Sequence, residues 1–292
     1  MLYVIHALNF ILMIALPILL GFFLSRKLGI TWSLFGVGAL TFIASQVVHL
    51  PLNFGLTALF ANKILTEPPA DWKLPFNSVV LGLTAGLCEE IARYLVYRYW
   101  IKSVRTWRAA LMFGAGHGGI EAIILGLLVG IAFPQLVVLR NIDLGFIPLE
   151  QRTLVAQQIT AYWSAPWYAT LLGSVERAFT LCFHLSAAVL VLQAFRRKNL
   201  FWLGAAILWH AAADASVVFV VGTWGVYWAE AAVGVFGVAS LAIIWALQPS
   251  GAETRPESES TTPMPETAPA RVPVPNPEAD LLRKVDDTRF TS

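Results

Sequence analysis

Long apolar runs alternate with short polar connections along most of the chain. Several runs reach the roughly 20 residues that an α-helix needs to cross about 30 Å of hydrocarbon. The pattern predicts about seven such helices, over residues 2–24, 30–56, 78–98, 109–133, 160–195, 200–221 and 226–247. The fifth is long enough to tilt, protrude or break. Because the runs lack the alternation of barrel strands, and lipid cannot pair open backbone groups, we predict an all-α polytopic transmembrane helical bundle.

Polar stretches mark the connections between these runs and a long tail. Two loops are predicted, one at Asn53, Gly55 and residues 62–77 and the other at residues 134–152. From residue 249 onward the chain is rich in Pro, Glu, Ser and Thr and almost free of aromatic residues, which is typical of disorder. We therefore predict a transmembrane domain over residues 1–248 and a disordered cytoplasmic tail over residues 249–292.

Positive charges favour one side of the predicted bundle. The connections after the first, third and fifth runs are rich in Lys and Arg, and the opposite connections carry few. The positive-inside rule then places the N-terminus outside and the C-terminus in the cytoplasm. The first run has no basic region before it and no cleavage site after it, which predicts a retained first span.

Composition agrees with a multi-pass protein of the cell membrane. The chain is 57% hydrophobic, with a mean hydropathy of +0.67 and a net charge of only +2. Without a basic stripe interleaved with aromatic residues, nucleic acid is not an expected partner. Cys88 and Cys182 both fall inside predicted spans, where cysteine is ordinarily a small buried hydrophobe.

Charged residues inside the third predicted span are the strongest functional signal. Glu89, Glu90 and Arg93 interrupt an otherwise apolar run, and each charge at mid-membrane costs about 2.5 to 3.5 kcal/mol on insertion scales. At about 1.5 Å of rise per residue, acids and imidazoles from four spans lie about 12 to 21 Å from the cytoplasmic side. These residues form one predicted layer: Glu89, Glu90, His117, Glu121, His184, His210 and Asp214.

Spacing relates the members of this layer to one another. His117 and Glu121 are four residues apart and share a helical face, as do His210 and Asp214. By the same spacing, Arg93 is expected to neutralise or orient Glu89. The glycine-rich run around His117 predicts either close helix packing or room for a substrate backbone.

Other polar residues fall near the outer boundary, where a side chain can reach water. His6 and Glu230 are expected to anchor there, and His49 is expected to lie at the outer mouth or at the interface. Glu176 and Arg177 are adjacent and so point in different directions, which predicts pairing with other helices.

The layer has the chemistry of a hydrolase. A carboxylate beside imidazoles can act as general base on water, and histidines can stabilise the oxyanion that forms when water attacks a carbonyl. The zinc helix HExxH, the elbow GxSxG and the aspartyl motif GxGD do not occur in the sequence.

These motifs carry a family resemblance. Glu89-Glu90-x-x-Arg93, Phe113-x-x-x-His117 and His210-x-x-x-Asp214 resemble the three-part pattern of the CAAX protease and bacteriocin-processing superfamily, which includes the type II CAAX prenyl proteases. More narrowly, the segment GHGGIEA at 116–122, Glu176-Arg177 and Phe183-His184 resemble the YhfC family of predicted intramembrane proteases.

The resemblance implies an intramembrane endopeptidase that acts in or near the cytoplasmic half of the bilayer. It implies that Glu89 activates water with help from His117, that Glu90 positions nearby groups, and that His210 and Asp214 line the oxyanion site. Arg93, Glu121 and His184 are supporting residues. The expected partners are membrane lipid and a peptide or membrane-anchored protein substrate.

Two features depart from the superfamily pattern. Its usual spacing is EExxxR, whereas this chain has EExxR, and its last motif often ends in asparagine, where this chain has Asp214. An ionised carboxylate cannot donate to an oxyanion, so Asp214 must be protonated, orient His210, or bind a metal.

Three alternatives to this glutamic protease stay open. A zinc-dependent protease would take Glu89 with two of His117, His184 and His210 as ligands; the metal-free form is preferred because no single span offers two histidines. A proton-coupled transporter would use the same acids and histidines as a relay, although neither an internal repeat nor paired broken helices are evident. A silent scaffold acting through its tail is a third reading.

Overall fold

A computed structural model describes residues 1–251 of the chain. The predicted tail at 249–292 falls almost entirely outside these residues. Within the described part, the fold is entirely helical and contains no strand. The predicted all-α bundle is therefore confirmed.

Nine helices make up the described part of the chain. Two short 3-10 turns, at Ala70–Trp72 and Leu144–Phe146, lie in its connections. The helices are α1 (Leu2–Leu28), α2 (Trp32–Ala61), α3 (Lys73–Tyr99), α4 (Trp107–Leu139), α5 (Leu149–Ser164), α6 (Trp167–Thr170), α7 (Leu172–Arg196), α8 (Phe201–Trp224) and α9 (Val226–Ala246).

Six of these helices are long and apolar enough to cross a membrane: α1, α2, α4, α7, α8 and α9. The third predicted span, α3, is 27 residues long but contains the two adjacent acids and the arginine, which lower its apolar character. It packs along α8 and α2 inside the bundle. The structure therefore has six long apolar helices and, as the seventh predicted span, the charged helix α3.

Two predicted loop boundaries were wrong, and one of the outcomes predicted for the fifth span is confirmed. Asn53 and Gly55 lie inside α2, because a helix within a bundle gains more from continued backbone pairing than it loses to one glycine. Helix α4 continues through Pro134 to Leu139, so the predicted loop at 134–152 shortens to nine residues, 140–148. The long fifth span is broken near Pro166 into α5, α6 and α7.

The centre of the bundle is the pair α4 and α7. Helix α4 packs against α1, α2 and α7, and α7 also packs against α8 and α9. Tyr97, Met112, Phe113, Val191 and Leu192 are fully buried at the end where α3 and α7 finish and α4 begins. This apolar cluster closes that end of the bundle.

Glycines set the distance between α4 and its neighbours. A Cβ at Gly38 of α2 would lie 2.0 Å from the Phe113 carbonyl oxygen, and one at Gly116 of α4 would lie 1.9 Å from the Phe35 carbonyl oxygen. Neither position admits a side chain, so the backbones of α2 and α4 are in contact. Of the two predictions for the glycine-rich run, close helix packing is the one that the structure confirms.

Candidate active site

The predicted polar layer converges into one connected cluster. Helices α3, α4, α7 and α8 each contribute side chains, and hydrogen bonds or ion pairs join all of them. The residues brought together are Glu89, Glu90, Arg93, His117, Glu121, His184, His210 and Asp214. The depth estimate made along separate helices therefore identified groups that meet in space.

Glu89 lies at the centre of the cluster with only 5% of its surface exposed. Its Oε2 is 3.0 Å from His117 Nε2, and its Oε1 accepts a hydrogen bond of 3.2 Å from Gln46 Nε2. Since a carboxylate only accepts, the contact assigns the His117 proton to Nε2. His117 Nδ1 is then a buried atom without a hydrogen-bond partner among residues 1–251.

Arg93 pairs mainly with the second glutamate of the motif. Its Nη1 donates to Glu90 Oε1, whereas its Nη2 is 3.8 Å from Glu89 Oε2. The expected pairing of Arg93 with Glu89 is therefore only the weaker of two contacts, because His117 and Gln46 already bind the Glu89 carboxylate. Both Glu90 and Arg93 are fully buried.

His184 connects this pair to a second acidic group. Arg93 Nη2 lies 2.7 Å from His184 Nδ1, and His184 Nε2 lies 2.7 Å from Glu121 Oε2. A guanidinium can only donate and a carboxylate can only accept, so the neutral imidazole has its proton on Nε2. The lone pair of His184 Nδ1 faces Arg93.

Arg177 holds the opposite side of Glu121. Its Nη1 donates to Glu121 Oε1 at 2.6 Å, and its Nη2 donates to Glu176 Oε1. The predicted pairing of Arg177 with another helix is confirmed, since Glu121 belongs to α4 and Arg177 to α7. Glu121, expected only as a supporting residue, thus links His184 to Arg177.

His210 is surrounded by three carboxylates. Its Nδ1 is 2.6 Å from Glu90 Oε1, so this nitrogen donates. Its Nε2 faces Asp214 Oδ2 at 3.4 Å and Glu89 Oε2 at 3.8 Å. A bare lone pair between two carboxylate oxygens would be repulsive, so Nε2 either carries a proton or faces a cation.

The residues expected at the outer boundary behave differently from one another. His6 is buried, with 6% of its surface exposed, and stacks on Tyr162 at 4.2 Å, so the expectation that it reaches water was wrong. His49 is joined to the site through Gln46. Glu230 is half-buried on α9.

A cavity of about 380 Å³ opens from the polar cluster. Glu89, Glu121, His184, His210 and Asp214 lie at its inner part. From there its walls continue for roughly 10 to 12 Å, at about 1.5 Å per residue, to four residues on four helices: Asn53, Leu81, Glu176 and Val218. All four lie toward the end of the bundle that carries the α2–α3 connection. The cavity therefore leads to that end, opposite the closed apolar cluster.

Three side chains in this site have the donors of a catalytic zinc centre. Glu89, His117 and His184 each offer one ligand atom, and these atoms lie within 4.8 Å of one another. Two histidines and one carboxylate leave a fourth zinc position open, and the bond from His184 Nε2 to Glu121 is the outer contact that metal-binding histidines ordinarily make. The residues present fit a divalent ion. The preference for a metal-free site is therefore not supported, since the bundle supplies ligands from three helices.

Gln46 is the site residue that sequence reasoning missed. It lies on α2, and the sequence between residues 32 and 48 contains no acid and no histidine that would mark this helix as part of the layer. Glutamine is uncharged and common, so only its position facing Glu89 distinguishes it. Its offset of three residues from His49 was the available signal.

Comparison with known proteins shows the family to which the chain belongs. The model of the family described as YhfC intramembrane metalloprotease matches residues 12–235. The uncharacterized membrane protein YhfC of Bacillus subtilis (strain 168) is 30% identical over 251 residues, which cover 76% of this chain and 92% of the relative. No solved structure matches the chain. Placement in the wider CAAX superfamily stays a prediction. Because the family model covers most of the described helices, the chain belongs to the YhfC intramembrane metalloprotease family.

Proposed function

We propose that this protein is an intramembrane endopeptidase whose reaction is centred on Glu89. The observation that carries the proposal is a buried carboxylate held between His117 and Gln46 at the inner part of an accessible cavity. A positioned general base contributes about 10²- to 10⁴-fold to such a reaction. The position of the family model over the same helices supports the peptidase class.

In the metal-free form, each group has a defined role. Glu89 removes a proton from water, and the resulting hydroxide attacks the scissile carbonyl carbon. His210 donates from Nε2 to the oxygen that becomes negative, and Asp214, at 3.4 Å, orients this ring. The proton held by Glu89 then passes to the leaving amine. Glu90 fixes the other His210 nitrogen.

The donor set favours a metal-dependent form of the same enzyme. Glu89, His117 and His184 would hold the ion, which would polarise the carbonyl and acidify a bound water. The printed description of the family supports this form. The metal-free form is supported by the contact between Arg93 and His184. Arg93 donates to His184 Nδ1, whose lone pair is the one that an ion would need.

Access to the site is proposed to come through the cavity. In the predicted topology, the α2–α3 end of the bundle is the non-cytoplasmic end, so the substrate would enter from that side and reach a bond near the cytoplasmic half. The cavity walls combine apolar residues such as Leu125, Val217 and Val233 with polar ones, which suits an extended peptide. A lipidated C-terminus, a secreted precursor and a membrane anchor all satisfy this description.

A proton-coupled transporter is the alternative from another class. A relay through the bundle would need polar groups beyond the layer, toward the end closed by Tyr97, Met112 and Phe113. Met112, Phe113, Val191 and Leu192, which fill that end in the described residues, are apolar. We therefore place the chemistry in a cavity closed at one end, which suits a hydrolase.

The proposal is tested with wild type and Glu89→Gln purified in detergent. Bound metal is measured by elemental analysis, and cleavage of a quenched peptide library is measured in liposomes. Glu67→Gln is the matched control, because Glu67 lies in a connection outside the cluster. Wild type and Glu67→Gln should cleave, and Glu89→Gln should not. Stoichiometric zinc whose chelation abolishes cleavage would establish the metal-dependent form; cleavage by Glu89→Gln would overturn the proposal.

The access route has its own test. In a variant lacking Cys88 and Cys182, a cysteine at Leu81 would lie on the cavity wall. A membrane-impermeant thiol reagent should label Leu81→Cys from the non-cytoplasmic side of sealed vesicles. Labelling only from the cytoplasmic side would contradict either the predicted topology or the route.

A further inference from the structure

A stripe of polar residues runs along α2 toward the reacting carboxylate. Gln46, His49 and Asn53 are spaced three and four residues apart, so they share one helical face. All three are half-buried and line the cavity. The neighbouring α2 residues Val48 and Phe54 are 60% and 73% exposed, as expected for a face that meets lipid. We name Gln46, His49 and Asn53 the α2 array.

Hydrogen bonds join the array into a chain with one direction. Gln46 donates from Nε2 to Glu89 Oε1 at 3.2 Å, which leaves its Oε1 as an acceptor facing His49 Nδ1 at 3.2 Å. An amide oxygen cannot donate, so His49 carries its proton on Nδ1. His49 Nε2 then accepts from Asn53 Nδ2 at 2.9 Å. Every donor in the chain points toward Glu89.

The outer end of the array is fastened to a second helix. Thr84 Oγ1 lies 3.0 Å from Asn53 Oδ1 and 3.0 Å from the Leu81 carbonyl oxygen, so its one proton is shared between these two acceptors. Thr84 belongs to α3, as does Glu89. The array thus forms a bridge that leaves α3 at Thr84 and returns to α3 at Glu89. The two attachments restrict rotation of the Gln46 amide, because each hydrogen bond fixes which atom of the next group donates and which accepts.

We propose that the α2 array is a positioning device that fixes the Glu89 carboxylate for reaction, an inference that rests on the proposed role of Glu89. Its donor to Oε1 and the His117 donor to Oε2 hold the two carboxylate oxygens from different helices. A carboxylate held on both oxygens keeps one rotamer and one direction for its remaining lone pairs. Loss of the array would leave Glu89 present but misaligned.

The kinetic test uses substitutions that interrupt the chain at two points. Gln46→Met keeps the length of the side chain without its donor, and His49→Phe keeps a ring without polar atoms. Gln46→Met should lower kcat on the order of 10- to 100-fold, the effect of losing one hydrogen bond to a charged group. His49→Phe should lower kcat by less, about 2- to 10-fold, because it removes hydrogen bonds between neutral groups. KM should change little in both variants, because the array acts through Glu89.

A conservative variant separates positioning from simple packing. In His49→Gln, the amide again offers one donor and one acceptor, so it should recover most of the kcat that His49→Phe loses. Thr57→Val is the matched control: its hydroxyl donates only to the α2 backbone at Asn53, and kcat should stay at the wild-type value. Equal losses in His49→Gln and His49→Phe, or a loss confined to KM, would overturn the inference.

A spectroscopic readout keeps the inference independent of the proposed reaction. The carboxylate infrared band of Glu89 is identified as the one that Glu89→Gln removes. Gln46→Met should shift that band, and Thr57→Val should not. If wild type cleaves no peptide while the band still shifts in Gln46→Met, the array stands and the peptidase proposal fails. An unshifted band in a folded Gln46→Met protein would overturn the array itself.

Discussion

Replacing Gly118 by alanine should damage the site through one defined contact. Gly118 of α4 lies beneath His184, and a Cβ there would be 2.5 Å from His184 Cδ2 and 2.8 Å from its Cβ and Cγ. Carbon atoms in ordinary contact are about 3.5 to 4.0 Å apart, so the imidazole must move by about 1 Å. The short distance to the His184 Cβ means that ring rotation alone cannot relieve the overlap.

That displacement would act on both nitrogens of His184. The ring now bonds Arg93 at 2.7 Å and Glu121 at 2.7 Å, and a shift of about 1 Å would break or bend both hydrogen bonds. A misplacement of about 1 Å that originates away from the reacting atoms can cost about 100-fold in rate. We expect Gly118→Ala to lower kcat by that factor and to weaken zinc binding, if His184 is a ligand.

The assay combines cleavage, metal content and thermal unfolding in detergent. Gly204→Ala is the matched control, because a Cβ on Gly204 of α8 meets nothing within 4 Å. That control should cleave normally and be more stable by about 0.5 to 1 kcal/mol, as helical glycines lose more entropy on folding. A Gly118→Ala protein with wild-type kcat and metal content would refute the place given to His184. Misfolding would appear as a lowered melting temperature instead.

Three further predictions follow from contacts outside this pair. Gly116→Ala should destabilise the bundle by about 1 to 3 kcal/mol or more, because its Cβ would meet backbone, whereas Gly36→Ala, in open space, should not; thermal melting compares them. Arg177→Met should cost about 3 to 5 kcal/mol, because it removes the ion pairs of Glu121 and Glu176 and leaves Glu121 with His184. Chemical unfolding in detergent measures this loss. In the α2–α3 connection, a hydrogen bond and the charge of Lys73 lower the pKa of Glu67. The ion pair therefore stabilises the folded protein at pH values above the pKa of Glu67 in the unfolded chain, and this contribution is lost as the pH falls through the lowered pKa. NMR titration of Glu67 should show a low pKa, and Lys73→Met should return that pKa to its ordinary value.

Much of the fold could be read from the sequence because the bilayer imposes helix length and internal pairing. The errors arose where helices end, since a membrane or a neighbouring helix can continue a helix through residues that terminate it in water. Asn53 is the clearest case: it reads as a loop residue, yet it lies in α2 and bonds His49. The break near Pro166 was foreseen only as one of three outcomes for an overlong run.

The site was more predictable than the details of its pairing. Charged residues are so rare in apolar helices that their depth alone selected the residues that meet. Depth along a helix says nothing about rotation around it, however, and so the pairing of Arg93 with Glu90 was missed. The contact of Gln46 with Glu89 and the choice of Glu121 as the partner of Arg177 depend on which helices are neighbours. No alternation or spacing within one helix encodes that.

Charge balance connects the two candidate mechanisms. Together with the adjacent pair Glu176 and Arg177, the cluster contains the carboxylates Glu89, Glu90, Glu121, Glu176 and Asp214 and the guanidiniums Arg93 and Arg177. Each arginine already contacts two acids, so with neutral histidines the cluster holds an excess of negative charge in a medium where such an excess is costly. The Nε2 of His210 lies between Glu89 and Asp214, so one positive charge added there is close to two of these carboxylates. A proton there gives the oxyanion donor of the metal-free form, whereas a divalent ion held by Glu89, His117 and His184 would add two positive charges to the same cluster. The two forms would therefore reduce the same excess of negative charge in different ways.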